Sequence, residues 1–380
     1  MKVLLVTSMF PPYCGGGVSS HVQSLAAALP KLGHEVWLLS SRRGQHVHPD
    51  EAKHAPTGTH AVYARNFRGM AMRIGRLLRE ERFDVVHFHA FNALALALLC
   101  RGARAATVFT LHSDSANYLA SVHGWRPGHP AYRALLRYER LAIRWPDATI
   151  AVSKRMQAYG SAIGGTRIAA IPNAVDSDYW TPGPAPSNGR PPTILVPRMH
   201  VPKNGIEYAI EAMSSIAKSA QDARMLVTGD GPLRPALEAL ARQAAGDRIV
   251  FPGMVSQEEL RELYRQVDLV VIPSVTTMGT QENTSIAALE AMACGTPVVA
   301  TDIGGLPEVV RSGVDGYLIP ERDPKALANA ALTLLSETER ARKMGAEARR
   351  HVVSVFSTQS WAERVVRVYE AALDARGARR

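Results

Sequence analysis

A chain of 380 residues is longer than one hydrophobic core normally serves, so two domains of ordinary size are expected. Its 46% hydrophobic and 21% charged content is that of a soluble globular protein and argues against a helical membrane protein, because no apolar run approaches the ~20 residues that a bilayer crossing needs. The net charge of +10 lies wholly in the first half: residues 1–180 hold 21 Lys and Arg against 11 Asp and Glu, whereas residues 181–380 hold 23 of each.

The opening MKVLLVTS reads as a strand, since its apolar run is too short for a signal peptide and flows into a glycine loop, PPYCGGG. A helix, VSSHVQSLAAALPKLG, and a strand, HEVWLLSS, complete a βαβ opening. Glycines at Gly15, Gly16 and Gly17 let backbone N–H groups approach an anion at the helix amino terminus. Their spacing is not GxGxxG, and SSRRGQ stands where a ribose-binding acid would follow the second strand, so a dinucleotide-dependent oxidoreductase is disfavoured.

Two stretches, NFRGMAMRIGRLLREER (66–82) and RPGHPAYRALLRYERLAIR (126–144), read as basic amphipathic helices, the first with Arg73, Arg76 and Arg79 beside Met70, Ile74, Leu77 and Leu78. They point to an anionic partner, either the cytoplasmic membrane face or an acidic or phosphorylated acceptor; a solvated arginine-rich surface is the equal alternative. Between them, FDVVHFHA and ARAATVFTLHSD read as buried strands with polar ends, and ALALALLC (93–100) as the helix that joins them. His87 and His89 are expected on alternate faces of their strand in structural roles, with no third ligand at zinc spacing. His112 closes the next strand, followed by Ser113 and Asp114. DATIAVSK and TRIAAIPNAVD continue the alternation, which predicts a parallel sheet covered by helices on both faces.

TPGPAPSNGRPP, from Thr181 to Pro192, breaks this rhythm. The expected division is therefore a first domain over 1–176, a linker over 177–192 and a second α/β domain over 193–355. In that second domain TILVPRM, IEYAIEAMSSIAKSA, ARMLVTGDGP, LRPALEALARQAA, DRIVFPGMV, QEELRELYRQ and DLVVIPS alternate strand and helix. The next segment puts Glu282 on a loop at a strand's carboxyl end and Glu290 inside the following helix, about two turns in at ~1.5 Å per residue. Such loops are where open α/β sheets bind ligands, and two acids so placed can reach opposite ends of one elongated ligand. Cys14, Cys100 and Cys294 lack metal-ligand spacing and cannot all pair, so a reducing cytoplasm is expected.

Glutamate, seven residues, glutamate, followed by EAMACGTPVVATDIGGLPE, resembles the signature of the retaining glycosyltransferases of family 4. The resemblance extends over roughly residues 193–320 and is looser in the first half. It implies the α/β GT-B fold, two Rossmann-like doubly wound domains facing a central cleft, with the terminal helix near 360–376 packing back on the first. It also implies transfer of a hexosyl or N-acetylhexosaminyl group from a nucleotide-diphosphate sugar, UDP-linked before GDP-linked, to an acceptor hydroxyl. A sugar, a lipid-linked acceptor or a small molecule would fit; nucleic acid is not an expected partner.

Negative charge grows on the leaving phosphate in such a reaction, so the site must supply cations or N–H donors there. PRMHVPKNG offers Arg198 and Lys203, which match the family's phosphate-holding Arg and Lys. By the same resemblance Gly16 and Gly17 face the donor phosphate, His112 reaches the donor sugar, and Gly253 and Val255 in FPGMV contact the nucleobase. Glu290 is assigned to the ribose hydroxyls, and Glu282 to the transferred sugar together with Asn283, Thr284 and Ser285. Asn283 and Thr284 depart from the glycine and aromatic residue or proline common after the first glutamate, and Pro197 stands where glycine is frequent. Neither metal nor cofactor is expected, since no Asp-x-Asp motif occurs. An epimerase of the same fold and a non-catalytic nucleotide-sugar binding protein are the alternatives.

Overall fold

The computed structural model describes residues 1–10, 17–42, 56–89, 91–100, 103–126, 128–184, 189–277 and 280–377. It divides into two compact units, one of Met1–Ala174 with Thr358–Arg380 and one of Val175–Ser357.

The first unit is built on a parallel sheet of β1 (Lys2–Val6), β2 (Glu35–Ser41), β3 (Thr59–Ala64), β4 (Val85–Phe88), β5 (Ala106–Leu111), β6 (Ala148–Ala151) and β7 (Ile168–Ala170). Their spatial order, β3-β2-β1-β4-β5-β6-β7, reverses direction between β1 and β4. Side chains alternate across each strand, so Leu4 and Val6 enter one core with Val86 and Phe88, while Val3 and Leu5 enter the other with Val85. The helix Thr358–Gly377 belongs to this second core, burying Trp361, Ala362, Val365, Tyr369 and Ala372 at helical spacing. Its end is tied down by Arg376, which donates to Asp147 at 2.9 Å and to the Ala103 carbonyl at 2.7 Å.

Two expectations change here. ALALALLC is not a regular helix: a short turn, Phe91–Leu94, passes into a 3-10 segment, Ala95–Cys100, with Leu98 and Leu99 exposed. Its uniform apolar run carries no 3.6 period that would set a buried stripe. The helix Pro130–Ala142 buries Glu139 and exposes Leu141, so its charge pattern does not follow its packing. By contrast, Phe67–Glu80 buries Met70, Ile74 and Leu77 as an amphipathic helix should, opened by an Asn66 cap on the Gly69 N–H.

The second unit repeats the design with β8 (Thr193–Pro197), β9 (Arg224–Thr228), β10 (Ile249–Gly253), β11 (Leu269–Ile272), β12 (Val298–Thr301) and β13 (Gly316–Ile319), in the order β10-β9-β8-β11-β12-β13. Its strand order reverses between β8 and β11. Here Ile194 and Val196 point to one core and Leu195 to the other. The stretch expected as a linker is partly built into this unit, since Trp180 is buried against Tyr264 and Arg265 donates to Thr181. A capping box of Ser256 and Glu259 starts the helix Gln257–Gln266, which carries Tyr264.

Candidate functional site

Where the strand order reverses, loops from neighbouring strands part and leave room for a ligand at the carboxyl edge. In the second unit these are the loops after β8 and β11, and the structure brings Arg198 from one and Glu282 from the other into an ion pair, their side chains 9% and 12% exposed. Around the guanidinium, Arg198 also donates to Asn204 Oδ1 at 2.6 Å, to Ser274 Oγ at 2.9 Å and to Ser285 Oγ at 3.4 Å. Ser274 donates in turn to Glu282 at 3.3 Å. Burial alone would push the Glu282 carboxyl up, but the Arg198 and Lys203 charges and the Arg198 and Ser274 hydrogen bonds hold it below the usual range.

Lys203 sits in the 3-10 turn Pro202–Asn204, whose backbone is anchored by the Val275 N–H on the Lys203 carbonyl. Its ammonium forms no ion pair among the described residues, so one positive charge beside Glu282 is uncompensated. Ser285 caps the helix Ile286–Ala293, accepting from the Ala288 N–H, and Thr284 is buried just before it. Backbone shape holds this loop: Gly304 has φ of +60° and lies so close to the Glu282 carbonyl that a Cβ there would be 1.9 Å from its oxygen, while the Gly305 N–H donates to that same oxygen at 3.0 Å. Gly305 lies against the Asn283 carbonyl, its own Cβ position 2.8 Å away.

Glu290 occupies the second turn of the Ile286–Ala293 helix and accepts a hydrogen bond from Tyr264 at 3.2 Å. Burial raises its carboxyl to about 8, the Tyr264 bond offsetting only part of that. Ligand-free Glu290 is therefore mainly protonated at neutral pH, able to donate one hydrogen bond and accept others. Gly253 ends β10 and its carbonyl accepts from the Gly229 N–H at 2.8 Å. Gly229, with φ of +104°, packs against the Arg198 carbonyl, which links the Gly253–Val255 turn to the Arg198 loop. Asn204, Ser274 and Tyr264 were not singled out from sequence; Ser274 stands two residues beyond β11 and Asn204 closes the turn that carries Lys203, but nothing in QEELRELYRQ marks Tyr264.

The other sequence candidates lie in the first unit. Gly16 falls outside the described residues, as do Cys14 and Gly15. Gly17 begins the helix Gly17–Lys31, and a Cβ on it would meet nothing within 4 Å, so local packing does not require glycine there. His112 follows β5 and packs edge-on against His21, ring centroids 4.6 Å apart. His87 and His89 do not alternate: positions two apart on a strand share a face, and their rings lie 4.0 Å apart. His87 is satisfied by Tyr369 at 2.8 Å and Thr110 at 2.7 Å. A third imidazole near His89 and His112 is supplied by His21, which sequence spacing did not reveal. Asn173 bonds to it at 2.8 Å.

A buried acidic network follows His112. Asp114 pairs with Arg155 at 3.0 Å, and Glu139, wholly buried, accepts from the Ala116 N–H and from Tyr159. Burial pushes Glu139 up to about 7.

The family model for glycosyl transferases group 1 matches residues 190–337, and that for glycosyltransferase family 4 matches residues 15–179. A phosphatidyl-myo-inositol mannosyltransferase of Mycobacterium leprae is 31% identical over 375 residues, covering 93% of this chain and 93% of its own. A GDP-mannose-dependent alpha-(1-6)-phosphatidylinositol monomannoside mannosyltransferase of Mycobacterium tuberculosis is 29% identical over 381 residues, covering 93% of this chain and 94% of its own. Sucrose-phosphate synthase from Thermosynechococcus elongatus has the same fold, with a TM-score of 0.79 over 98% of this chain and 99% of its own at 22% identity.

Proposed function

The chain belongs to glycosyltransferase family 4, with two Rossmann-like sheets in the GT-B manner, and from that premise we propose that it transfers a hexosyl group from a nucleotide-diphosphate sugar to an acceptor hydroxyl with retention of configuration. The Arg198–Glu282 pair carries this reading. It puts a fixed cation, a carboxylate and the uncompensated Lys203 at the strand-order reversal of the second unit, where a diphosphate and a sugar need opposite charges close together. Arg198 and Lys203 receive the diphosphate and stabilise the charge that develops on it as the glycosidic bond breaks. A metal ion is then unnecessary for that charge.

Glu282, Asn283, Thr284 and Ser285 hold the transferred sugar, Glu290 the ribose, and the Gly253–Val255 turn the base. His112 and the Gly16–Gly17 backbone keep the roles that the family resemblance gives them, toward the sugar and the phosphate. For the nucleotide, the UDP preference expected from sequence rests on resemblance alone, while the named activity of the Mycobacterium tuberculosis relative supports GDP-mannose. An anionic acceptor is supported by a hollow of about 380 Å³ in the first unit, lined by Arg42, Arg65, Arg73 and Arg76 with Tyr63 and Met72. Two relatives act, by name, on phosphatidylinositol derivatives.

The test is thermal protection by GDP-mannose, UDP-glucose and UDP-N-acetylglucosamine, followed by NMR of the anomeric proton in the product made from the protecting donor. Protection by one donor and a product of the donor's own anomeric configuration are expected. An altered sugar formed without acceptor would favour epimerisation, and protection without turnover would favour a binding protein.

A further inference from the structure

We propose that His21, His89 and His112 form a binding site for a borderline divalent metal ion of the zinc class at the carboxyl edge of the first sheet. His21 lies on the helix that follows β1, His89 just beyond β4 and His112 just beyond β5, so the site occupies that sheet's own strand-order reversal. One ring nitrogen of each histidine lies within 4.8 Å of the others. Zinc–nitrogen bonds of ~2.0–2.1 Å in tetrahedral geometry place ligand nitrogens about 3.4 Å apart. Closing the triangle takes imidazole movements of about an ångström, and the histidine χ2 torsion is broad enough to provide them.

Hydrogen bonding separates these rings from His87, whose two nitrogens are both met by hydroxyls. His21 Nδ1 meets Asn173 Oδ1 at 2.8 Å. A carbonyl oxygen only accepts, so Nδ1 carries the proton and Nε2 keeps its lone pair. That Nε2 is buried without a partner, and so are both ring nitrogens of His89. Unpaired buried polar atoms are costly, and ring nitrogens this close to one another can be satisfied together by one cation. A carbonyl on the far nitrogen is also how metal-ligating histidines are held in the right tautomer.

Burial pushes His21 to about 4 and, with the neighbouring imidazoles, sends His89 and His112 well below their usual range. All three are neutral at pH 7 and need release no proton to bind an ion. Nitrogen-only donors suit Zn²⁺, Co²⁺, Ni²⁺ or Cu²⁺ and not Mg²⁺ or Ca²⁺. Three protein ligands leave a fourth position open. Because His112 is the imidazole assigned to the transferred sugar, an ion on it would withdraw it and inhibit transfer. That consequence rests on the proposed function, whereas ion binding does not.

Titration of the full chain with Co²⁺ at pH 7, followed by visible absorption, reads the site directly. Intense tetrahedral bands that saturate at one equivalent and vanish on adding Zn²⁺ are expected. His89→Phe keeps a ring against His87 and removes both nitrogens, and should weaken the bands at least tenfold. Asn173→Ala, which frees the His21 tautomer, should weaken binding by about ten- to a hundredfold. Should His89→Phe not fold, the rise in Tm that Zn²⁺ gives the wild type, and its loss in His21→Gln, serve the same purpose. Weak octahedral bands, or equal affinity in His89→Phe, would overturn the site. In a separate arm, Zn²⁺ should inhibit transfer reversibly with EDTA; full transfer at a Zn²⁺ concentration that displaces the Co²⁺ bands completely would keep the site and remove the sugar role of His112.

Discussion

Arg198 and Glu282 meet across two neighbouring strand ends as a nearly buried ion pair, Arg198 bonding also to Asn204, Ser274 and Ser285 and Glu282 also to Ser274. Removing one partner of such a pair leaves the other charge buried and uncompensated, which costs roughly 3–5 kcal/mol. Arg198→Ala should therefore lower Tm as well as turnover, the latter by about a hundredfold or more if the guanidinium holds the leaving phosphate. Arg198→Ala with Glu282→Gln should recover part of the stability and none of the turnover. Calorimetry and initial rates on both variants check this; full stability in Arg198→Ala would mean that the pair does not hold the two loops together.

Lys203 differs because its ammonium has no ion-pair partner among the described residues, and its charge acts on the fold by helping Arg198 hold the Glu282 carboxyl down. Lys203→Ala is expected to lower stability by no more than about 1 kcal/mol, far less than Arg198→Ala, while cutting turnover by about a hundredfold. On the proposed function, the same cation serves the diphosphate in place of a metal ion. Transfer should persist in EDTA. Loss of activity in EDTA that Mn²⁺ restores would remove the metal-free assignment.

Much of this site was legible because its residues sit at strand ends, where short buried runs stop at polar residues. Arg198 and Lys203 follow TILVP, and Glu282 follows LVVIPS, so the alternation that locates the strands also locates them. Tyr264 was invisible, because a tyrosine in a charged helix carries no sign that its hydroxyl reaches Glu290. The grouping of His21 with His89 and His112 was missed for a related reason: the three are distant in sequence and meet only when β1, β4 and β5 lie side by side. The burial of Glu139 was not legible, because a helix of arginines and leucines suggests a solvated charged face, whereas Tyr159 and the Ala116 N–H give this carboxyl partners inside.

Buried titrating groups set a pH dependence with a definite sign. Glu290 titrates near about 8 and Glu139 near about 7, both above their unfolded value near 4.5, so the folded chain holds more protons than the unfolded one through this interval. Stability from these groups is fully present below pH 4.5 and is lost as pH rises through 7 to 8. The depressed histidines act oppositely, and only below their unfolded value near 6.5, where stability falls as pH drops toward the His21 value of about 4. From about pH 7 to 8 the glutamates outweigh the histidines, and stability, followed as Tm, should fall with rising pH, by on the order of 1 kcal/mol per pH unit for each titrating glutamate. Glu290→Gln should flatten that fall throughout and Glu139→Gln mainly its part up to about pH 7. A slope unchanged in Glu290→Gln would mean that its carboxyl is ionised in the free protein.

Gly304 offers a test of whether the Glu282 loop shape itself matters. Alanine there would meet two penalties, a positive φ of +60° and a Cβ 1.9 Å from the Glu282 carbonyl oxygen. Gly313, with φ of +81° and nothing within 4 Å of its Cβ position, isolates the first penalty. Gly313→Ala should cost about 1 kcal/mol, the ordinary price of a left-handed alanine, and leave turnover unchanged. Gly304→Ala should cost more and also displace Glu282 and Asn283, whose carbonyls lie against Gly304 and Gly305. A displacement of about 1 Å at a positioning residue costs on the order of a hundredfold in rate. Donor affinity by thermal protection and kcat should then fall together in Gly304→Ala and in neither case for Gly313→Ala. Equal behaviour of the two variants would show that the loop tolerates the shift and that Glu282 is not held in place by the glycine pair.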